Sequence, residues 1–196
     1  MEKIVPEKAV LIPDHARRVF QGEIFDVYQW PQKLFDGSPA TFEMIKRPDT
    51  VETIGIVDQK ILVLEDVQPH RGSRLSLPGG RVDPHESVPD AAKREVQEET
   101  GYSFKNWRLL TVRQPQSKIE WFIYTFLAWN QSSQEDPHVD AGEKITAELK
   151  SLKQLKDLSA SKAGYLGELQ TILDRVTRID DLLDLPEFQG QTVTTS

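Results

Sequence analysis

Residues 80–102 read GRVDPHESVPDAAKREVQEETGY, with Gly80, Glu86, Arg94, Glu95, Glu98, Glu99 and Gly101 at fixed intervals. With ordinary residue usage, seven such specified positions recur by chance on the order of once in 10^8 to 10^9 starts, so a short chain does not carry them by accident. Ser87 followed by Asp90 has the form of an N-cap, and Pro89 falls in the first turn, where its missing N–H is not needed. The spacing predicts a helix from about residue 88 to Gly101, a residue free to take the left-handed conformation that ends helices. Val88, Ala92 and Val96 then make a stripe facing a core, with Ala91 small enough for close packing.

On the last two turns Glu95, Glu98 and Glu99 crowd one side. Like charges at i, i+4 cost an isolated helix about 0.2–0.5 kcal/mol, and anions near a helix C-terminus about 0.3–1 kcal/mol more. A bound divalent cation reverses both effects. The plain alternative is a solvated acidic face with Arg94 as a surface ion pair; the upstream Gly79-Gly80 loop and Glu86 at its spacing favour the cation. Carboxylates and a backbone carbonyl are hard oxygen ligands, suited to Mg²⁺ or Mn²⁺, and the chain has no Cys for a soft site.

The seven residues, with Val96 as the internal aliphatic, resemble the box of the Nudix hydrolase family; only Tyr102, aromatic where an aliphatic is usual, departs. The resemblance implies that Glu95 and Glu99 are the principal cation ligands, that Glu98 assists, and that the Gly79 carbonyl adds a ligand from the loop. It also implies that Glu86 and Arg94 form a positioning pair that orients the carboxylates.

The chain has 196 residues, 38% hydrophobic and 28% charged, values expected of one globular domain with a real core. A net charge of −7 disfavours a nucleic-acid or anionic-membrane partner. Zero cysteines exclude disulfides and thiol catalysis. The N-terminal stretch is charged and proline-broken, without a signal-peptide core, and the run Trp121–Trp129 is too short to span a bilayer, so a cytoplasmic location is expected.

Along the chain, 19–30 and 41–47 read as strands across the turn Asp36-Gly37-Ser38-Pro39. Segments 50–57 and 60–64 form a hairpin through Asp58-Gln59, and 107–113, 120–129 and 145–149 are further strands. Residues 131–142 are polar, 152–158 start a helix, and Leu166, Leu169, Ile172, Leu173, Val176, Ile179 and Leu183 mark a long amphipathic helix. The tail from Pro186 is expected to be loose. This order suits an α+β fold: a Nudix-type α/β/α sandwich with a mixed sheet, an N-terminal β extension and a C-terminal helix. The expected divisions are an extension at 1–49, a core at 50–160, a C-terminal helix at 161–185 and a flexible tail at 186–196.

Phe20-Gln21-Gly22-Glu23-Ile24-Phe25, Asp36-Gly37, Phe42-Glu43-Met44-Ile45 and Pro48 resemble the extra N-terminal sheet of ADP-ribose pyrophosphatase-type members, which implies a homodimer and a contribution to the nucleotide pocket. The stretch Asp140–Ile145 resembles a loop where those relatives place another acidic residue facing the metals, which makes Glu143 a candidate general base or ligand. Two features depart from that type. Ser76 stands where Glu is usual, ahead of the Pro78-Gly79-Gly80 form common in triphosphate-type members, and Pro115 lies slightly before the place of a marker proline.

Arg71, Arg74 and Arg113 are candidate phosphate ligands, weighed against ordinary surface arginines, and Trp30 and Trp121 candidate stacking residues, weighed against core aromatics. The expected function is Mg²⁺- or Mn²⁺-dependent hydrolysis of a nucleoside diphosphate linked to another moiety, ADP-ribose or a nucleotide sugar preferred. Glu98, Glu143, Arg94 and Glu86 are the candidate catalytic group. The alternatives are a nucleoside triphosphate pyrophosphatase and a non-catalytic nucleotide sensor on the same fold.

Overall fold

A computed structural model describes residues 2–68, 72–138, 144–160 and 168–194. In chain order come β1 (Glu2–Val5), β2 (Arg17–Gln21), β3 (Asp26–Lys33), β4 (Pro39–Lys46), β5 (Thr50–Val57), β6 (Lys60–Gln68) and β7 (Gly72–Ser76). Then follow α1 (Val88–Thr100), β8 (Tyr102–Arg113), β9 (Ile119–Glu120), β10 (Ile123–Gln134), β11 (Lys144–Lys150), α2 (Leu152–Ala160), α3 (Glu168–Leu173), a 3₁₀ turn (Ile179–Leu182) and β12 (Gln191–Thr194).

The central sheet runs β11-β6-β5-β10-β8, with β7 on β6. It is mixed, because β10 lies parallel to β5 and antiparallel to β8. Asp58 and Gln59, at φ 47° and 58°, make the two-residue turn that sets Val57 opposite Lys60. β6 leaves β5 after this short pairing and takes β7 as partner from Leu64 onward. The chain after β7 then runs beside β5, where Thr53 N–H donates to the Pro78 carbonyl at 2.8 Å and Val51 N–H to the Gly80 carbonyl at 2.9 Å. Those two bonds fix the glycine loop on the sheet.

Helix α1 begins and ends as its sequence dictates. Ser87 is extended at φ −81°, ψ 149° and accepts the Asp90 N–H, while Gly101 at φ 72° returns its N–H to the Gln97 carbonyl. Ala91, Ala92 and Val96 are fully buried against Val51, Phe122, Tyr124 and Phe126 on one side and Leu62, Tyr102 and Ala128 on the other. The opposite sheet face, carrying Ile54, Ile61, Val63 and Leu127, is covered by Leu155 of α2 and by Leu169, Ile172 and Leu173 of α3. Each such side chain contributes roughly 1.5–3 kcal/mol by leaving water, and the result is the expected sandwich.

Several boundaries differ from the sequence reading. The stretch 19–30 is two strands, β2 and β3, because Gly22 N–H closes a turn on the Phe25 carbonyl at 3.0 Å. The stretch 120–129 is divided between sheets: β9 pairs with β4 in a small sheet β2-β3-β4-β9, and β10 enters the central one. β8 starts at Tyr102, and β10 continues to Gln134 into the polar stretch.

The long C-terminal helix is not formed. α3 stops at Leu173, and the Asp181 carboxylate accepts the N–H groups of Thr177 and Arg178 at 2.8 and 2.9 Å, starting the 3₁₀ turn instead. Those backbone bonds, first from Arg178 and then from Thr177, hold its carboxyl down to about 2. The tail is not loose throughout either: β12 pairs with β1, Glu2 opposite Thr194 and Val5 opposite Gln191. Among the described residues no helix is long and apolar enough to cross a membrane.

Candidate active site

The site is built on the C-terminal half of α1 and the loop that β5 holds beside it. Arg94 uses the whole guanidinium fork. Its Nε and Nη2 donate to the two oxygens of Glu86, each at 2.9 Å. Nη1 donates to Glu95 at 2.9 Å and to Glu98 at 3.0 Å, and Nη2 also reaches the Arg81 carbonyl at 2.9 Å. One cation therefore ties the loop carboxylate, two helix carboxylates and the loop backbone into a single network. The bond from Arg94 holds the Glu86 carboxyl below the usual carboxylate range, and that same pair pushes the guanidinium up.

Glu99 faces the loop: its Oε2 accepts the Gly79 N–H at 2.7 Å. Gly80 lies against Glu95 so closely that an added Cβ would sit 2.6 Å from Glu95 Oε2. A side chain would fill the space in front of that carboxylate. The donors gathered here are carboxylate oxygens and loop backbone, which fits Mg²⁺ or Mn²⁺. Among the described residues no three acidic or histidine side chains already converge as a cation cage. Glu95 and Glu98 are turned to Arg94 and Glu99 to Gly79, so holding a cation requires rotation of these side chains about a fixed backbone.

Of the residues singled out in the sequence, Gly79, Glu86, Arg94, Glu95, Glu98 and Glu99 are brought together. Glu143 and Arg71 lie outside the described residues. Arg74 sits on β7 directly across from the buried Asp66. Arg113 belongs to the opposite layer, between Glu52 at 3.6 Å and Glu168 of α3 at 3.8 Å, while Glu52 also accepts from Thr125 at 2.7 Å. Trp30 is a core residue of the small sheet, packed on Phe42 at 6.2 Å with its Nε1–H on Gln32. Trp121 instead lies beside the loop and donates to Thr50 Oγ1 at 3.1 Å. Two residues near the site escaped the sequence reading: Arg47, whose only sequence signal is its place before Pro48, and Arg81, inside the quoted stretch but at a position the box leaves unspecified.

A NUDIX domain model matches residues 46–169, well over half the chain. The chain belongs to the Nudix family and is a Nudix pyrophosphohydrolase. It is 25% identical over 159 residues to an ADP-ribose pyrophosphatase of Bacillus subtilis, covering 76% of this chain and 85% of that protein. It is 26% identical over 140 residues to a methanol dehydrogenase activator of Bacillus methanolicus, covering 69% and 73%. A crystal structure of an ADP compounds hydrolase superimposes with a TM-score of 0.64 at 20% identity, over 88% of this chain and 95% of that one. Fold and family thus agree with the Nudix resemblance, and an ADP-ribose pyrophosphatase is among the relatives.

Proposed function

We propose that the protein is a metal-dependent hydrolase that cleaves the pyrophosphate bond of a nucleoside diphosphate linked to another moiety, with ADP-ribose or a nucleotide sugar preferred. The observation that carries this reading is the notch at Gly80, which Glu95 faces across a space a Cβ would occupy, with Glu98 bonded to the same Arg94 as Glu95 and Glu99 bonded to the adjoining glycine loop. Similarity to the Bacillus subtilis ADP-ribose pyrophosphatase supports the substrate class.

In this reading Glu95, Glu98 and Glu99 hold Mg²⁺ or Mn²⁺. When bound, the cation neutralises the diphosphate and acidifies the attacking water. Arg94, fixed by Glu86, keeps Glu95 and Glu98 side by side at one spacing, from which their carboxylates turn to the cation. Glu143 takes the proton of the water as its oxygen bonds to phosphorus. The bridging P–O bond breaks, and a nucleoside monophosphate and a phosphorylated partner leave.

The protein acts as a homodimer in the cytoplasm. The small sheet presents Val19, Phe20, Ile24, Phe25 and Phe35 to solvent, apolar surface suited to a second copy. Light scattering after size exclusion tests the dimer, where a monomer mass across micromolar concentrations refutes it, and fractionation of expressing cells tests the location. The test of function is a product-resolved screen of nucleoside diphosphate derivatives and triphosphates with Mg²⁺ and with chelator. Nucleoside monophosphate from a diphosphate derivative is expected; turnover confined to triphosphates, or undiminished in chelator, refutes the reading.

A further inference from the structure

The glycine loop has backbone anchors on both sides of Arg81. Before it, the Gly80 carbonyl accepts the Val51 N–H at 2.9 Å; after it, the Val82 N–H donates to the Asp49 carbonyl, also at 2.9 Å. The Arg81 carbonyl between them is the one that Arg94 Nη2 reaches, and Arg94 in turn holds Glu95 and Glu98. A shift of Asp49 therefore passes through one residue of loop into the carboxylate network.

Asp49 precedes β5, and its own side chain fixes it. One oxygen accepts the Phe122 N–H at 2.9 Å, and the other accepts the Lys3 ammonium, again at 2.9 Å. Lys3 is brought from β1, and its Nζ lies 4.5 Å from the centre of the Phe122 ring as well. The two charged side chains are only 10% and 13% exposed. An ion pair withdrawn from water returns little net stability, and removing one partner strands the other. What the pair does supply is a single place for the Asp49 carboxylate.

Lys3 keeps that reach only while β1 stays docked. β1 and β12 form a two-stranded sheet in which Lys3 stands opposite Val193, and Val5 is fully buried. Just before β12, Gly190 passes so close to β1 that an added Cβ would lie 2.4 Å from the Val5 carbonyl oxygen. The last strand thus determines where the first one lies.

We infer that Lys3 and Asp49 are a positioning pair for the glycine loop, and that the clasp of β1 with β12 sets this pair, so that both ends of the chain act on the candidate active site. In this role Lys3 works through Asp49, Val82 and Arg81, a contiguous run of bonds, and touches neither substrate nor cation. The step from loop to catalysis rests on the hydrolase reading above; the step from Lys3 to the loop does not.

The test uses the full chain and two measurements, amide exchange of the metal-free protein and steady-state kinetics with ADP-ribose and Mg²⁺. Lys3→Met keeps the aliphatic stem and removes the charge. Relative to the core amides of Leu62 and Leu127, its Val82 amide should exchange about tenfold faster or more, the mark of a local opening. Its kcat should fall by about tenfold, as for loss of an outer partner of a ligand set, with KM within about twofold. Lys3→Arg, which restores the cation, should recover both, and Lys8→Met, exposed in the same segment, should change neither. Gly190→Ala should reproduce both effects by prising β1 from β12, and adding Lys3→Met to it should cost little more. Should Lys3→Met misfold by stranding the Asp49 charge, Lys3→Met combined with Asp49→Asn, which removes both charges and keeps an acceptor for Phe122, carries the exchange test. Val82 exchange that stays level with the core overturns the pair, and effects of Gly190→Ala and Lys3→Met that simply multiply overturn the clasp. Faster Val82 exchange with wild-type kcat overturns the role in catalysis and leaves the hydrolase reading standing. Faster exchange in a protein that cleaves no nucleoside diphosphate derivative upholds the pair and sinks the hydrolase reading.

Discussion

Glu99 accepts the backbone N–H of Gly79 at 2.7 Å, so a carboxylate in the last turn of α1 is locked to a loop 20 positions earlier in the chain. The contact orients Glu99 but uses one oxygen only. Glu99→Gln keeps an acceptor for Gly79 and loses the charge, so the fold should persist while a cation loses a ligand. Turnover with Mg²⁺ should fall by about 10²-fold or more, with a melting temperature in chelator equal to or above that of wild type. A folded variant with near-wild-type turnover would remove Glu99 from the ligand set.

Gly80→Ala tests the notch directly. The new methyl group would lie 2.6 Å from Glu95 Oε2, so the carboxylate must swing away. A displacement of about 1 Å at a reacting centre can cost roughly 10²-fold. Activity should drop on that scale with only a small change in stability, and a crystal structure should find Glu95 in a new rotamer. Unchanged kinetics would mean that the space in front of Glu95 has no part in the reaction.

The Arg94–Glu86 pair carries a pH signature. Arg94 holds the Glu86 carboxyl below its unfolded value of about 4.3. A depressed carboxylate adds stability that is complete above the unfolded pKa and is lost as pH falls through the folded one. The gap in melting temperature between wild type and Glu86→Gln should therefore be present at pH 7 and close below about pH 4. A gap that widens on acidification contradicts the assignment. Arg94→Lys, which cannot fork to both Glu86 oxygens, should cost about 10- to 100-fold in activity.

Glu143→Gln separates chemistry from ligation. Loss of a general base should lower kcat by about 10² to 10⁴-fold with little change in KM, and the defect should not shrink as Mg²⁺ is raised. A defect that Mg²⁺ rescues makes Glu143 a ligand instead, and wild-type behaviour returns attention to Glu98 or Asp140.

What could be read from the sequence follows the range of the interactions. The cap at Ser87, the stop at Gly101 and the turn at Asp58-Gln59 are local, and each lies where its residues place it. The apolar spacing at Leu169, Ile172, Leu173, Val176 and Ile179 marked buried positions, yet not a continuous helix, and at its end Leu182 is the buried residue where the spacing pointed to Leu183. Burial depends on which residues face the core, whereas the break depends on Asp181 capturing backbone donors at 177 and 178, a competition that periodicity does not register. β7, with Gly72, Ser73 and Ser76, has little strand character of its own and is recruited by β6. The carboxylate group was legible as spacing on one helix. The pairing of Lys3 with Asp49 was not, because it depends on how strand β1 and the start of β5 come together in space.

The pairing of β1 with β12 bears on how the protein matures. Val5 is fully buried, yet the strand opposite it is 191–194. During synthesis, at about 5–20 residues per second, β1 waits on the order of 10–40 s for that partner to emerge. The α1 face of the sandwich therefore closes last, and a nascent chain that stalls before residue 191 keeps an apolar edge within reach of chaperones and proteases.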